Sequence, residues 1–263
     1  MTRVDRVPVE TPTRAPAPTN AYVVGGDDGL LVDPAAAESA ALDAALDGRT
    51  VSHVAVTHTH PDHVDGVAAY AERTGATVWA RRGREAEFAE ATGVAPDRTF
   101  GDGATLPNGV GVVDTPGHAS DHVAFVTDSG VVSGDVAFAE GSVVVPAPEG
   151  DMRAYLVSLR RLHARGPACL YPGHGPAIDD PRAVLERLVR HRRDRERRVE
   201  RAVHEGARDL DAVLDAVYEK DLTGVRDLAR ATVHAHVEKL AAEGRVRFDP
   251  DAGHVEPGRP AGD

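Results

Sequence analysis

Residues 57–66 read THTHPDHVDG, which places His58, His60, Asp62 and His63 within six consecutive positions. Imidazole nitrogen and carboxylate oxygen are donors that Zn²⁺, Fe²⁺ and Mn²⁺ all accept. In extended backbone alternate side chains point the same way, so His58 and His60 can face one ion. Asp62 and His63 fall where a helix starts, one step round, and are placed to face a second. Three later segments each run from an apolar stretch through a small-residue turn to a single donor: VVDTPGH to His118, VVSGD to Asp135, and CLYPGHG to His174. Taken singly, each of these three reads equally well as a turn residue. Together with the opening cluster they amount to five histidines and two aspartates, enough for two metal ions with a carboxylate between them.

The elements that must position these donors are short. AYVVG (21–25), LLVD (30–33), VSHVAVT (51–57) and TVWA (77–80) read as strands. AAAESAALDAAL (35–46) and HVDGVAAYAERTG (63–75) read as helices, the second ending on Gly75. HVAFVTDSGVVSGD predicts a hairpin turning at Asp128–Gly130, and apolar positions 152, 155, 156 and 159 predict a helix over 151–164. The Pro/Thr-rich residues 5–20 read as an irregular or edge segment. Strands and helices mix throughout the first ~180 residues, as in a layered α/β domain. From Pro181 the texture changes: a long helix carries nine arginines against four acids over 181–201. Two further helical segments and a hairpin (RVRFDPDAGHVEP) then follow in the order of a winged helix-turn-helix. The expected division is a catalytic domain over 1–180 and a linker helix with a winged-helix-like unit over 181–263.

HTHPDH (58–63), TPGH (115–118), SGD (133–135) and PGHG (172–175) resemble the successive metal motifs of the metallo-β-lactamase-fold hydrolases, over roughly residues 18–180. The resemblance implies a four-layer αββα sandwich with the site at one edge. It implies that His58, His60 and His118 hold one metal, that Asp62, His63 and His174 hold the other, and that Asp135 bridges them. The pair of ions, zinc by default with Fe²⁺ or Mn²⁺ compatible, would lower the pKa of a bridging water. The resulting hydroxide would attack a carbonyl carbon or phosphorus, with Asp62 orienting it, so that Asp62 and Asp135 are the expected catalytic residues.

GDVAFAEGSVVVPAPEGDMRAYLVSLRRL (134–162) resembles the corresponding segment of the β-lactamase-like protein 2 group, whose members also carry a C-terminal winged-helix-like extension and are linked to cleavage of single-stranded RNA. It departs from glyoxalase II, which has a Gly-Cys-Gly-Arg segment there. The first expectation for function is therefore phosphodiester hydrolysis on single-stranded RNA, with arginines of 182–201 touching phosphates. The alternatives are a thioester or lactone hydrolase, and a nucleic-acid-binding regulator acting through the C-terminal unit. Alternation of those arginines with acids also fits a solvated helix face, and aromatic residues for base stacking are few. The C-terminal unit is expected to shape the substrate channel or to join a homodimer.

Composition bounds the rest. The net charge is −12, with only two lysines, Lys220 and Lys239, a balance that suits a proteome adapted to high salt or a high-GC genome. No apolar run approaches the ~20 residues of a membrane span. One cysteine, Cys169, excludes an internal disulfide framework, and with no apolar leader seen in the first residues a cytoplasmic protein is expected. That its substrate is a small molecule or single-stranded RNA is what the resemblance implies. Asn20, Ser142 and Tyr155 are expected to line the substrate pocket, Asn20 reading equally as a turn former. His122 is expected at the surface or in packing, with support of a metal ligand as its alternative; His234 and His236 are expected as structural, and Cys169 as a buried small hydrophobe.

Overall fold

The computed structural model describes residues 1–11, 18–219 and 221–258; the middle of the Pro/Thr-rich stretch (12–17), Lys220 and 259–263 lie outside the described residues. On either side of 12–17 the chain is extended. β1 (Val4–Val9) pairs antiparallel with β2 (Thr19–Val24), and Pro8 is accommodated because β1 is an edge strand. β3 (Gly29–Val32) continues antiparallel, and β4 (Val51–Ala55), β5 (Thr77–Arg81) and β6 (Arg98–Phe100) then add in parallel. Parallel neighbours need crossovers. These are α1 (Ala40–Leu46), α2 (Pro61–Val64) with α3 (Val67–Thr74), and α4 (Glu85–Thr92). A second sheet, in the order β10-β9-β8-β7, contains β7 (Gly111–Asp114), β8 (Val123–Val126), β9 (Val131–Gly134) and β10 (Leu170–Pro172). The expected hairpin is β8–β9, and α5 (Met152–Arg165) is the crossover to the parallel β10.

Strand alternation sorts the apolar side chains into layers. Ala21, Val23, Leu31, Val54 and Val78 face Leu42, Tyr70 and Phe88 of the helices over the first sheet. Tyr22, Leu30, Val32 and Trp79 meet Val112, Phe125 and Val132 between the sheets. Ala124, Val131 and Leu170 face Tyr155, Leu159 and Leu162 of α5, joined by Leu185 and Leu188 of α6 (Pro181–His204). The order is helix, sheet, sheet, helix, the expected αββα arrangement.

Two boundaries differ from the sequence reading, both for local reasons. α1 begins only at Ala40, because the Ser39 hydroxyl accepts the Leu42 N–H at 3.3 Å and caps the helix there. The helix expected over 63–75 is broken at Gly66. A Cβ at that position would sit 2.5 Å from the Ala36 carbonyl oxygen and 2.6 Å from that of Pro34. That close approach presses the turn after β3, with Asp33, against the histidine cluster. α3 ends as expected on Gly75, whose φ of 67° is left-handed.

After α6 come α7 (Leu210–Val217), α8 (Arg226–Ala242) and the hairpin of β11 (Val246–Asp249) with β12 (His254–Pro257). Val199 and Val203 pack with Leu214, Val233, Val237 and Val255 in a core of their own. α6 thus serves two cores, its first half against α5 and its second against α7 and α8. Among the described residues no helix is long and apolar enough to cross a membrane.

Candidate metal centre

Four strands deliver the donors, all beyond their C-terminal ends: β4 leads to His58 and His60, β7 to His118, β9 to Asp135 and β10 to His174. α2 turns Asp62 and His63 back towards them. Irregular backbone beyond a rigid sheet is where converging polar groups are commonly presented.

Each histidine has one ring nitrogen assigned by its neighbour, which fixes what the other offers in the neutral ring. The His118 Nδ1–H donates to the Val144 carbonyl at 2.7 Å, leaving the Nε2 lone pair inward. Thr57 Oγ1 donates to Asp33 at 2.8 Å and so accepts from His58 Nδ1 at 3.0 Å, again leaving Nε2 free. The His60 Nε2–H faces Glu149 at 2.7 Å, leaving Nδ1. The three freed nitrogens meet: His60 Nδ1 is 3.0 Å from His58 Nε2 and 2.9 Å from His118 Nε2. Three lone pairs pointed at one another repel unless a cation sits among them. Ligands about 2.0 Å from a tetrahedral ion are about 3.3 Å apart, close to the spacing observed.

The second group is built on Asp33. Its carboxylate, fully buried, accepts the Thr57 N–H at 2.6 Å and the His63 Nδ1–H at 3.0 Å. The backbone of Asp33 is left-handed, with φ 52°, a strained setting for a residue other than glycine. His63 Nε2 and Asp135 Oδ1 are buried with no hydrogen-bond partner, and they lie 3.7 Å apart. His174 Nε2 is 3.4 Å from Asp62 and 3.5 Å from Asp135, while its Nδ1–H donates to Pro18. Asp135 Oδ2 is also 3.7 Å from His118 Nε2, so this carboxylate stands between the two groups. Gly173 leaves the room: a Cβ there would overlap Asp135 Oδ1 and sit 2.9 Å from His63 Cε1. Three sets of donors therefore have cation-binding geometry: His58/His60/His118, His58/His63/Asp135 and Asp62/His63/His174.

The electrostatics separate the two ends. Burial, reinforced by His63 and the other rings, pushes His58 well down, and burial also lowers His118, so both are neutral at pH 7. Burial would lower His174, but hydrogen bonds to Asp135 and Asp62 push it up to about 10. Burial would raise Asp135, but His174, His63 and His118 hold it below the usual carboxylate range. Burial would lower His63 as well, but Asp33, Asp135 and Asp62 raise it. At pH 7 the free protein therefore carries a proton on His174 that a metal ion must displace, and any proton on His63 Nε2 must leave with it. Zinc titration by calorimetry in two buffers of different ionisation enthalpy is expected to show release of at least one proton, and weaker binding as pH falls. The release should shrink in His174→Ala; unchanged release there would contradict the assignment of the proton.

Residues 14–174 match the family described as the Metallo-beta-lactamase superfamily. The chain belongs to that superfamily. It is 28% identical over 261 residues to the "Beta-lactamase-like protein 2 homolog" of Drosophila melanogaster, covering 89% of this chain and 86% of that one. It is 30% identical to the "Atrochrysone carboxyl ACP thioesterase" of Aspergillus fumigatus, over 75% of this chain and 64% of that one. Among solved structures, a metallo-beta-lactamase family protein from Thermus thermophilus superposes with a TM-score of 0.77 at 25% identity, covering 97% of this chain and 98% of that one. The chain is thus a metallo-β-lactamase superfamily hydrolase with candidate metal-binding His/Asp groups.

Within this metallo-β-lactamase fold, the seven residues His58, His60, Asp62, His63, His118, Asp135 and His174 lie together. The three expected pocket residues do not line that cluster. Asn20 is buried in β2, and its Nδ2 donates to the carbonyls of Pro172 and Gly175 at 2.9 and 2.8 Å, so it pins the loop that carries His174. Tyr155 is fully buried under His118's turn, its hydroxyl donating to Val136 O at 2.8 Å. Ser142 is exposed and lines a cavity towards α6 and α8. His122 is no surface residue: it is fully buried, and its Nε2 accepts the Asp135 N–H at 3.0 Å, fixing the backbone of that ligand candidate. Cys169 is half-buried rather than buried. Sequence reasoning missed Asp33 and Glu149. A lone Asp before Pro34 at a strand end was the available signal for the first; an exposed loop glutamate offered none for the second.

Proposed function

We propose that the chain is a metal-dependent hydrolase of ester-class bonds, with one cation held by His58, His60 and His118, a second by Asp62, His63 and His174, and Asp135 shared. The convergence of the His58, His60 and His118 lone pairs within 3.0 Å carries this reading. Bound divalent cations supply an activated water and stabilisation of the developing oxyanion. The nitrogen-rich set suits Zn²⁺, and the mixed set suits Fe²⁺ or Mn²⁺ as well. Asp62 keeps a side chain 20% exposed, so it is the carboxylate able to orient a water facing the substrate, while Asp135 is held inside the cluster. Glu149 orients His60.

For the bond attacked, a carboxyl-type ester or thioester is the better-supported choice. The arginines of α6 that were expected to meet RNA phosphates are mostly engaged elsewhere. Arg187 donates to the carbonyls of Phe138, Ala139 and Gly141, and Arg192 donates to that of Val143. Arg182 and Arg197 pair with Glu186 and Asp194. Arg187 and Arg192 hold the 138–143 wall, which supports a role for α6 in shaping the approach to the site. Similarity to a named ACP thioesterase agrees with this. Single-stranded RNA cleavage is the second reading, favoured by the resemblance to the β-lactamase-like protein 2 group along most of the chain.

A panel separates them: S-lactoylglutathione, a lactone, single-stranded RNA and bis-p-nitrophenyl phosphate, each with and without chelator. Chelator-sensitive turnover of thioester or lactone is the expected result. Chelator-sensitive RNA cleavage without it would move the assignment to the second reading, and no chelator-sensitive hydrolysis at all would remove both.

A further inference from the structure

α6 buries two guanidinium groups that have no counter-charge among the described residues. Arg192 is 2% exposed and Arg195 is 7% exposed. Among the described residues neither forms an ion pair; Glu196, next to Arg195, is taken by Lys239 and Arg245, each at 2.7 Å. Arg192 Nε and Arg195 Nε and Nη1 are buried without any hydrogen-bond partner. Aromatic rings lie close to both, the Arg195 Cζ 3.7 Å from the Tyr218 ring centroid and the Arg192 Cζ 5.3 Å from that of Tyr155. A ring offers no anionic partner, so these contacts leave the charge itself unpaired. His236, fully buried, has both ring nitrogens without partners, and burial together with Arg192 and Arg195 pushes it well down. His191 is pushed down to about 4 by burial and by the same arginines. The whole group sits in an unneutralised positive field, an arrangement costly to fold unless something pairs with it.

The two arginines line a cavity of about 260 Å³ between the 142–144 wall, α6, α8 and the residues Tyr218, Leu222 and Val225 that lie between α7 and α8. Its other walls are largely apolar, with Val143, Tyr218 and Leu228 among them, and Leu228 stands 50% exposed. We infer that this cavity is a binding site for a small organic anion, a carboxylate or phosphate on a short apolar body. Its negative charge would supply the counter-charge that Arg192 and Arg195 lack, met at the guanidinium edges that line the cavity, and its body would rest on the apolar walls. The site is linked to the candidate metal centre through the wall: Arg192 donates to the Val143 carbonyl, and the next carbonyl, Val144, accepts from His118 Nδ1 at 2.7 Å. The inference does not depend on what the centre hydrolyses.

The test is calorimetric titration of the full chain, at ionic strength fixed with chloride, using sodium hexanoate, inorganic phosphate and hexylammonium. Saturable binding of hexanoate or phosphate at one site per chain is expected, with none for hexylammonium; which anion binds tells carboxylate from phosphate. Arg195→Met should weaken binding about tenfold or more, with Arg195→Lys in between. In the unmodified chain, the arginine Nε–H resonances of Arg192 and Arg195 should shift during the same titration, a readout that needs no variant to fold. Failure of both anions to saturate the unmodified chain, or equal affinity in a folded Arg195→Met, would overturn the inference, as would saturable binding that leaves both Nε–H resonances unmoved.

Discussion

Replacing Asp135 with Ala is expected to remove bound metal and hydrolytic activity together. Its side chain is 9% exposed and lies 3.5 to 3.7 Å from the facing nitrogens of His63, His118 and His174. It is the negative charge shared by both donor groups. Without it, the histidine nitrogens face one another with less to offset either a cation or a proton on His174. Metal content by elemental analysis should fall from about two ions per chain to one or fewer, and turnover of the best substrate by about 10³-fold or more, in the range found when an electrostatic group at a reacting centre is removed. His60→Ala should act on the His58/His60/His118 group alone and leave the other ion in place. An Asp135→Ala protein that kept its full metal content would rule out the shared-carboxylate assignment.

The layers and most of the centre were legible because both are written in short-range pattern. Strand alternation and the TDSG and Gly75 signals are local; His118, Asp135 and His174 each follow a strand of their own, and the other four donors share one short segment. What escaped depends on contacts between distant segments. Asp33 and His63 are 30 residues apart, and their meeting needs Gly66 to let two backbones touch. The arginines of α6 are a different case. Leu185, Leu188, Arg192, Arg195 and Val199 form one buried stripe at helical spacing. Continuing the apolar periodicity through the charged residues would have flagged Arg192 and Arg195 as buried. Counting arginines against acids averaged that stripe with the exposed face, where Arg182 and Arg197 do pair with acids as a solvated helix would. The same average made α6 resemble a phosphate-binding surface.

Asp33→Asn is expected to keep the fold and lose one metal ion, because the substitution changes which ring nitrogen of His63 carries the proton. Asn tolerates the left-handed backbone at position 33. Its Oδ1 can still accept the Thr57 N–H, now at 2.6 Å from Asp33. Its amide Nδ2 must then face Thr57 Oγ1 and His63 Nδ1, which both donate to Asp33 in the native protein. The threonine hydroxyl, which already accepts from His58 Nδ1, can accept this amide as well, but its own proton then loses its acceptor. The imidazole can accept only by moving its proton to Nε2, the nitrogen that points at Asp135. That proton occupies the lone pair offered to the cation, so affinity at the Asp62/His63/His174 group should fall about 10–100-fold, the usual effect of losing a residue that orients a ligand. The folding cost should be about 1–3 kcal/mol by denaturant titration, since one buried hydroxyl proton loses its acceptor while the other groups are re-paired. Asp33→Ala, which strips three donors of their acceptor, should cost more, about 3–5 kcal/mol. Long-range ¹H–¹⁵N spectra of His63 report the tautomer directly. Two retained ions with the proton still on Nδ1 would make Asp33 a folding residue only; one retained ion with the proton on Nε2 would make it the residue that aims His63 at the metal.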